Sequence, residues 1–351
     1  MTAHEIVCAD AARMKLLGDE SVALVVTSPP YPMIEMWDEL FCARNGAIRS
    51  ATEEGRYEDA FELMHRELDP VWREVYRVLL PGGLACINVG DATRTLGGNF
   101  RLFSSHARVL TFCLGLGFQN LPNIIWRKTT NAPNKFMGSG MLPPGAYVTL
   151  EHEYVLVLRK GAKRAFATAE AKRNRSRSAF FWEERNNWFS DVWFGLIGVG
   201  QDIAAQEARS LSAAYPFELA YRLVNMFSVK GDLVLDPFAG TGTTMLAAMA
   251  SERNSVSFEC DERLVPVIAC AAEGLLPVAN RYIRARLEAH AAFARQREAD
   301  GRPCAHRNEP HGFACMSAQE QHIEIRELAS VVRGPDGRFA VEYVEGPGTR
   351  E

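Results

Sequence analysis

Two stretches of this chain carry residues whose types and order can do chemistry. The first is Thr27-Ser28-Pro29-Pro30-Tyr31, at the end of the apolar, β-branched run Val22 to Val26. Such a run reads as a buried strand of a parallel sheet. The two prolines cannot donate to a ladder and force a rigid, extended exit. The strand therefore delivers a hydroxyl, free carbonyls and an aromatic ring to a carboxyl-end sheet edge, where open α/β sheets bind ligands. Acceptors for an exocyclic NH2, beside a ring that can stack on its base, suit chemistry on a nucleobase amine. Taken alone, the residues also fit a strand followed by a plain proline-rich turn.

The second stretch, Asp236-Pro237-Phe238-Ala239-Gly240-Thr241-Gly242-Thr243-Thr244, joins the strand Leu233 to Leu235 to a helix from Met245 to Ala250. Its glycines allow a tight turn and a close approach to a ligand, and the helix N-terminus offers free N–H groups to an anion. No Lys follows, so this is not a phosphate-gripping P-loop. The dinucleotide fingerprint wants a third glycine where Met245 stands. A further strand, Ser255 to Phe258, then presents Glu259, about where an acid binds ribose in nucleoside-cofactor folds.

Around these stretches strand and helix patterns alternate. A short strand ends at Asp10, and a helix capped near Asp10 is predicted through Leu17. Pro32 to Gly55 reads as a long irregular flap over the active edge. Tyr57 to Leu80 is strongly amphipathic, with Phe61, Met64, Leu68, Val71, Trp72 and Val75 at helical spacing. A strand over Leu84 to Val89, a helix from Ser104 to Leu116 and a strand from Leu121 to Trp126 follow. The alternation predicts a mostly parallel α/β sheet with right-handed crossovers. Another strand, Glu151 to Leu158, precedes a basic segment containing Lys163, Arg164, Lys172, Arg173, Arg175 and Arg177. Its basic residues, interleaved with Asn and Ser and followed by aromatics, can contact phosphates and base edges. A solvated surface loop packing its aromatics inward has the same composition. A helix begins near Tyr215-Pro216-Phe217, and a long charged helix runs from Ala279 to Ala299.

Composition narrows the function classes. The 351 residues, 47% hydrophobic, can bury a large core. No run of about 18 apolar residues predicts a membrane span. The N-terminus lacks a signal pattern, which places the chain in the cytosol, bacterial cytosol or nucleoid under the family likeness below. Eight scattered cysteines read as reduced thiols. A formal net charge of −4 opposes general polyanion coating, so nucleic-acid contact must come from a local patch. In the tail, Cys304, His306, His311 and Cys315 are metal-ligand types, but their spacing matches no zinc pattern and predicts no metal. Gly334-Pro-Asp-Gly337 suggests a small hairpin.

Thr27 to Tyr31 resembles the catalytic motif of DNA amino-methyltransferases in its cytosine-N4 spelling. Asp236 to Thr244 is similar to the S-adenosylmethionine motif of the same family. The likeness spans roughly residues 5 to 285, including Ile124-Ile-Trp-Arg-Lys128, His152-Glu153-Tyr154 and Asp191-Val-Trp193. With the catalytic stretch first, the order matches the circularly permuted β group. The resemblance implies a Rossmann-like class I methyltransferase fold, a mostly parallel seven-stranded sheet with one antiparallel strand. It divides the chain into a catalytic half (1–128), a target-recognition region (129–210, holding the last sheet strand near 152–158), a cofactor half (211–290) and a C-terminal extension (291–351).

The same resemblance implies site roles. Ser28, Pro29, Pro30 and Tyr31 are catalytic: Tyr31 stacks on a flipped base, while the Ser28 hydroxyl and Pro29 carbonyl accept from its NH2. Asp236, Phe238, Gly240, Thr241 and Gly242 hold the methionine end of S-adenosyl-L-methionine, with Thr27, Pro237, Ala239, Thr243 and Thr244 completing the set. Glu259 takes the ribose, Asp10 lies near the adenine amine, and Pro216 and Phe217 pack on the cofactor. Two departures stand out: Tyr215 where the family often has His, and Ser257 where it has Gly. The implied reaction is methyl transfer to cytosine N4 in double-stranded DNA, the six basic residues touching that DNA. Adenine N6 is the alternative, since the same geometry serves either amine, and Ser rather than Asp at position 28 favours cytosine. A DNA-binding regulator without catalysis and an RNA or small-molecule methyltransferase are the other classes. A companion restriction endonuclease and a homodimer fit the same family.

Overall fold

The computed structural model describes residues 1–128, 137–196 and 215–345. Its centre is an 11-stranded sheet. In chain order the strands are β1 (Thr2–Cys8), β2 (Val22–Thr27), β3 (Leu79–Val89), β4 (Phe118–Asn120), β5 (Ile124–Arg127), β6 (His152–Lys160), β7 (Val192–Trp193), β8 (Leu233–Asp236), β9 (Asn254–Glu259), β10 (Leu328–Arg333) and β11 (Phe339–Tyr343). They lie side by side as β7-β5-β6-β3-β2-β8-β9-β1-β11-β10, with β4 also on β6. The five strands from β3 to β1 are mutually parallel. On one side β6 pairs antiparallel with β3; on the other, β11 pairs antiparallel with β1.

Burial on both faces explains why the central strands read as continuous apolar runs. All six residues of β2 are buried. Leu24, Val26, Cys86 and Val234 point into one core with helices Phe217–Phe227, Thr243–Ala250 and Leu275–Ala299. Val25, Ala85, Ile87 and Leu235 point into the other, against helix Tyr57–Val78. That helix buries Met64, Leu68, Val71, Trp72, Val75 and Val78, the stripe its sequence shows. Each side chain of a central strand thus has an apolar layer waiting for it, whichever way it points.

Three elements differ from their sequence reading. The chain after Asp10 is only a short 3-10 turn, Ala11–Arg13, with the Asp10 carboxylate accepting the Ala12 N–H at 2.8 Å. The flap holds two helices, Asp38–Arg44 and Gly46–Glu53, the second capped by the Asn45 side chain. Helices of seven or eight residues show too few turns for periodicity to reveal them. The tail hairpin is part of the main sheet: β10 and β11 extend it beyond β1, where Thr2 pairs with Val341 and His4 with Phe339. The sheet is therefore wider than the seven strands expected. Thr2 and Tyr343 seal this junction with a 2.8 Å hydroxyl contact, and Tyr343 also donates to the Met249 carbonyl at 2.7 Å.

Among the described residues, no single helix is long and apolar enough to cross a membrane.

Candidate active site

β2 and β8 are neighbours in the sheet, so the two chemical stretches leave it side by side. The Thr27 hydroxyl donates to Asp236 Oδ1 at 2.6 Å, and both residues are buried. Asp236 Oδ1 also accepts the Phe238 N–H at 3.0 Å, pinning the start of the glycine turn. Tyr215 sits above the other oxygen at 3.4 Å and hydrogen-bonds the Thr244 hydroxyl, which donates to the Val26 carbonyl at 3.0 Å. A ring of side-chain bonds thus ties the Pro-Pro exit to the glycine turn. Burial pushes the Asp236 carboxyl up to about 6, although the Thr27, Phe238 and Thr244 bonds pull it down.

Between the two stretches lies a cleft with about 1130 Å³ of open space. Ser28, Pro29, Pro30 and Tyr31 form one wall; Pro237, Phe238, Ala239, Gly240 and Thr243 form another. Asp10, Glu259, Phe258 and Leu264 close the far end, and Trp37, Phe41 and Arg44 reach over from the flap helices. Glu259 Oε2 accepts the Gly240 N–H at 2.8 Å and Oε1 the Asp261 N–H at 2.8 Å, which fixes the carboxylate at the strand end. Gly242 has φ +83, and a Cβ there would meet Ile268 Cγ2 at 2.6 Å, so the turn needs glycine.

Most residues singled out in the sequence converge here, with exceptions. Thr27, Asp236 and Thr244 lie beneath the cleft as its scaffold, and Thr241 and Gly242 shape the turn without lining it. Asp10 lines the cleft, its carboxylate accepting the Ala12 N–H at 2.8 Å and pairing with Arg44 at 3.0 Å. Pro216 and Phe217 do not line the cleft, whereas Tyr215 does; Phe217 packs on Tyr221 and Tyr282.

The basic segment is not brought to the cleft either. β6 runs antiparallel to β3, so residues after Lys160 emerge at the amino ends of the parallel strands, away from Ser28 and Gly240. There Arg164 makes a two-pronged contact with Asp232, just before β8, at 2.7 and 2.9 Å. Arg177 pairs with Glu324, and Arg164 and Arg175 flank the Phe166 ring. Lys172 and Arg173 stand on the helix Ala169–Arg177, whose Asn174 reaches the Lys230 carbonyl at that end. None of the six basic residues lines the cleft. The acids paired with Arg164 and Arg177 lie 68 and 147 residues further along the chain, so these two pairings were not legible in the sequence.

In the tail, His311 Nε2 accepts the Ile325 N–H at 3.0 Å and Cys304 Sγ lies 3.7 Å from Met316 Sδ. Among the described residues, the side chains that do converge are Glu183, His290 and Glu320. His290 bonds Glu183 at 2.7 Å and the Ala314 carbonyl at 3.2 Å, while Glu320 accepts the Trp182 and Ser317 N–H groups. That knot joins the long helix to the tail.

Three polar residues behind the catalytic wall received no role from the sequence: Asn88 at the end of β3, Lys128 just after β5, and Glu153 near the start of β6. Glu153 Oε2 accepts from Tyr31 at 3.0 Å and from Asn88 at 2.6 Å, and Lys128 bonds Oε1 at 2.5 Å. A charged residue among the apolar alternation of β6 was the available signal.

A family model described as DNA methylase, of the N6/N4 group, matches residues 22–269. The chain belongs to the N6/N4 DNA methylase family. Two relatives agree. The type II methyltransferase M.MthZI of Methanothermobacter thermautotrophicus is 48% identical over 98% of this chain and 96% of its own. M.MjaI of Methanocaldococcus jannaschii is 49% identical over 76% of this chain and 90% of its own. Among solved structures, a candidate DNA modification methylase from Thermus thermophilus, in complex with S-adenosyl-L-methionine, superposes with a TM-score of 0.58. It is 34% identical and covers 76% of this methylase and 95% of its own chain. PvuII DNA methyltransferase, a cytosine-N4-specific enzyme, shares the fold at a TM-score of 0.52 and 19% identity, over 80% of this chain and 93% of its own.

Proposed function

We propose that this DNA methylase transfers a methyl group from S-adenosyl-L-methionine to cytosine N4 in double-stranded DNA. The observation that carries the reading is the 2.6 Å bond from Thr27 to Asp236, which holds the two stretches side by side so that Ser28 and Gly240 line one cleft. The donor set suits the cofactor. Glu259 offers a fixed carboxylate to ribose hydroxyls, Phe238, Phe258 and Leu264 offer apolar surface to a purine, and the Gly240–Thr243 turn offers backbone to a carboxylate. When bound, the cofactor supplies an electrophilic methyl group on a sulfonium.

The chain's own residues do the rest. An amine inside a duplex is out of reach, so the base is flipped into the cleft at a cost of a few kcal/mol. The Pro29-Pro30 exit holds Ser28 and the Pro29 carbonyl at the mouth of β2, where both accept from the amine. These bonds turn the nitrogen lone pair out of ring conjugation and toward the donor. Tyr31 provides the ring beside the base. The reaction needs positioning more than acid–base power. Serine at position 28 favours cytosine over adenine. The same reading pairs the enzyme with a restriction endonuclease of the same site.

Purified protein, S-adenosyl-L-methionine and duplex DNA, followed by nucleoside mass spectrometry, test this. N4-methylcytosine is the expected product; N6-methyladenine overturns the choice of base. Ser28→Ala is expected to lose on the order of 10²-fold in rate, as when one positioned hydrogen-bonding group is removed. An undiminished rate overturns the role of Ser28.

A further inference from the structure

Behind Ser28 the side chains of Tyr31, Asn88, Glu153 and Lys128 form one hydrogen-bonded set. Ser28 Oγ lies 2.8 Å from the Tyr31 hydroxyl. That hydroxyl lies 3.0 Å from Glu153 Oε2, and Asn88 Nδ2 reaches the phenol oxygen at 2.9 Å and the same carboxylate oxygen at 2.6 Å. Lys128 closes the set on Glu153 Oε1 at 2.5 Å. Asn88, Tyr31 and Glu153 are 2%, 9% and 9% exposed, so the middle of the set is screened from water. A Cβ on Gly90 would strike the Tyr31 ring at 2.9 Å and Glu153 Cγ at 3.3 Å, so the packing around the pair is close.

Bond strength selects one placement of the hydrogens. A carboxylate only accepts, so Asn88 must turn its NH2 toward Glu153, and the second hydrogen of that NH2 goes to the phenol oxygen. Tyr31 has one proton. It goes to Glu153 rather than to the Asn88 carbonyl at 3.4 Å, because a charged acceptor at shorter range makes the stronger bond. The phenol oxygen can then only accept from Ser28. Ser28 spends its proton inward and turns lone pairs, with no hydrogen of its own, toward the cleft.

We infer that Glu153 is a positioning residue for methyl transfer: it makes Ser28 a pure acceptor for the target amine, and it takes up the amine proton through Tyr31 and Ser28. The inference rests on the function proposed above and holds for either nucleobase amine. As the nitrogen–methyl bond forms and the methyl–sulfur bond breaks, a neutral thioether leaves. The amine N–H passes its proton to Ser28 Oγ, the Ser28 proton moves to the Tyr31 oxygen, and the Tyr31 proton moves to Glu153 Oε2. Glu153 ends as a carboxylic acid, so the sulfonium's positive charge and the carboxylate's negative charge disappear together. Burial holds the Tyr31 phenol well above its ordinary range, so it relays the proton without resting as a phenolate.

The test compares Glu153→Gln, Glu153→Asp, Tyr31→Phe and the Glu153→Gln/Tyr31→Phe double variant of the full chain. Single-turnover methylation of duplex DNA is read alongside calorimetric Kd values for S-adenosyl-L-methionine and for DNA. Glu153→Gln is expected to lower the rate on the order of 10²-fold, the scale of one lost proton-transfer partner. Both Kd values stay within about twofold, since neither ligand touches Glu153 in this scheme. Tyr31→Phe cuts the same path, so the double variant is no slower than the slower single variant. Glu153→Asp, keeping the charge on a shorter stem, recovers part of the rate. A Glu153→Gln protein at the parent rate, additive losses in the double variant, or a rate loss matched by an equal loss of cofactor affinity overturns the role of Glu153. A parent protein that methylates DNA yet ignores Glu153→Gln sinks this inference alone. A parent that transfers no methyl group to DNA sinks the function and this inference with it.

Discussion

An Asp236→Asn protein keeps the shape of the buried junction beneath the cleft and removes its charge. The amide oxygen can still accept from Thr27 and Phe238, which bond Oδ1 at 2.6 and 3.0 Å. Its NH2 then faces the Tyr215 phenol oxygen, which can accept it. What changes is the cost of holding a carboxylate away from water. Burial raises the Asp236 carboxyl from its ordinary 3.8 to about 6, roughly two pH units, or about 3 kcal/mol. The native state therefore binds this proton more tightly than the unfolded chain does. Its advantage is full below pH 3.8 and is lost as pH rises to about 6, leaving the ionised group a burden at neutral pH. The asparagine carries no such burden. Urea unfolding of both proteins across pH 4 to 8 measures the difference. It should be near zero at the acid end, climb through the window from 3.8 to about 6, and level off with the variant more stable by about 3 kcal/mol. A difference that does not vary with pH, or a variant less stable than the parent at pH 8, would refute the reasoning.

Further outcomes follow from other parts of the fold. Gly242→Ala combines a strained φ of +83 with a contact to Ile268 Cγ2 at 2.6 Å, so it should cost about 1–3 kcal/mol of stability and weaken cofactor binding, read by thermal melting and calorimetry. Arg173→Ala with Arg175→Ala removes two charges from the amino end of the sheet, so DNA affinity and its salt slope should stay unchanged; a slope reduced by about 2 would return this segment to the DNA. Tyr343→Phe loses the bonds to Thr2 and the Met249 carbonyl and should lower stability by about 1–3 kcal/mol in urea unfolding.

What the sequence disclosed depended on how local each signal was. The strand Val22–Thr27 and its proline stop lie within ten residues, and the Asp-Pro-Phe turn with its following helix is equally compact. Both could be read directly, and their meeting followed from the alternation of strands and helices. The Ser28–Tyr31–Glu153 chain could not be read, because Asn88 and Glu153 lie 57 and 122 residues from Tyr31 and only the sheet brings them together. The ion pairs of the basic segment were hidden for the matching reason. Charge density is local, whereas the acids that answer it, Asp232 and Glu324, come from distant elements. Asp10 shows a third limit: its position at a strand end was legible, and its partner Arg44, on a short helix of the flap, was not.

The antiparallel seam between β1 and β11 has a bearing on how the gene could be arranged. Thr2 lies across from Val341, and Tyr343 continues past the point where β1 begins. The first and last strands are thus within a hairpin turn of each other on the same rim. A few residues linking Tyr343 to Thr2 would join the two strands directly, and a cut in an exposed connection elsewhere would place the glycine turn ahead of the proline pair. The sheet would not register the change, since its neighbours in space would be the same.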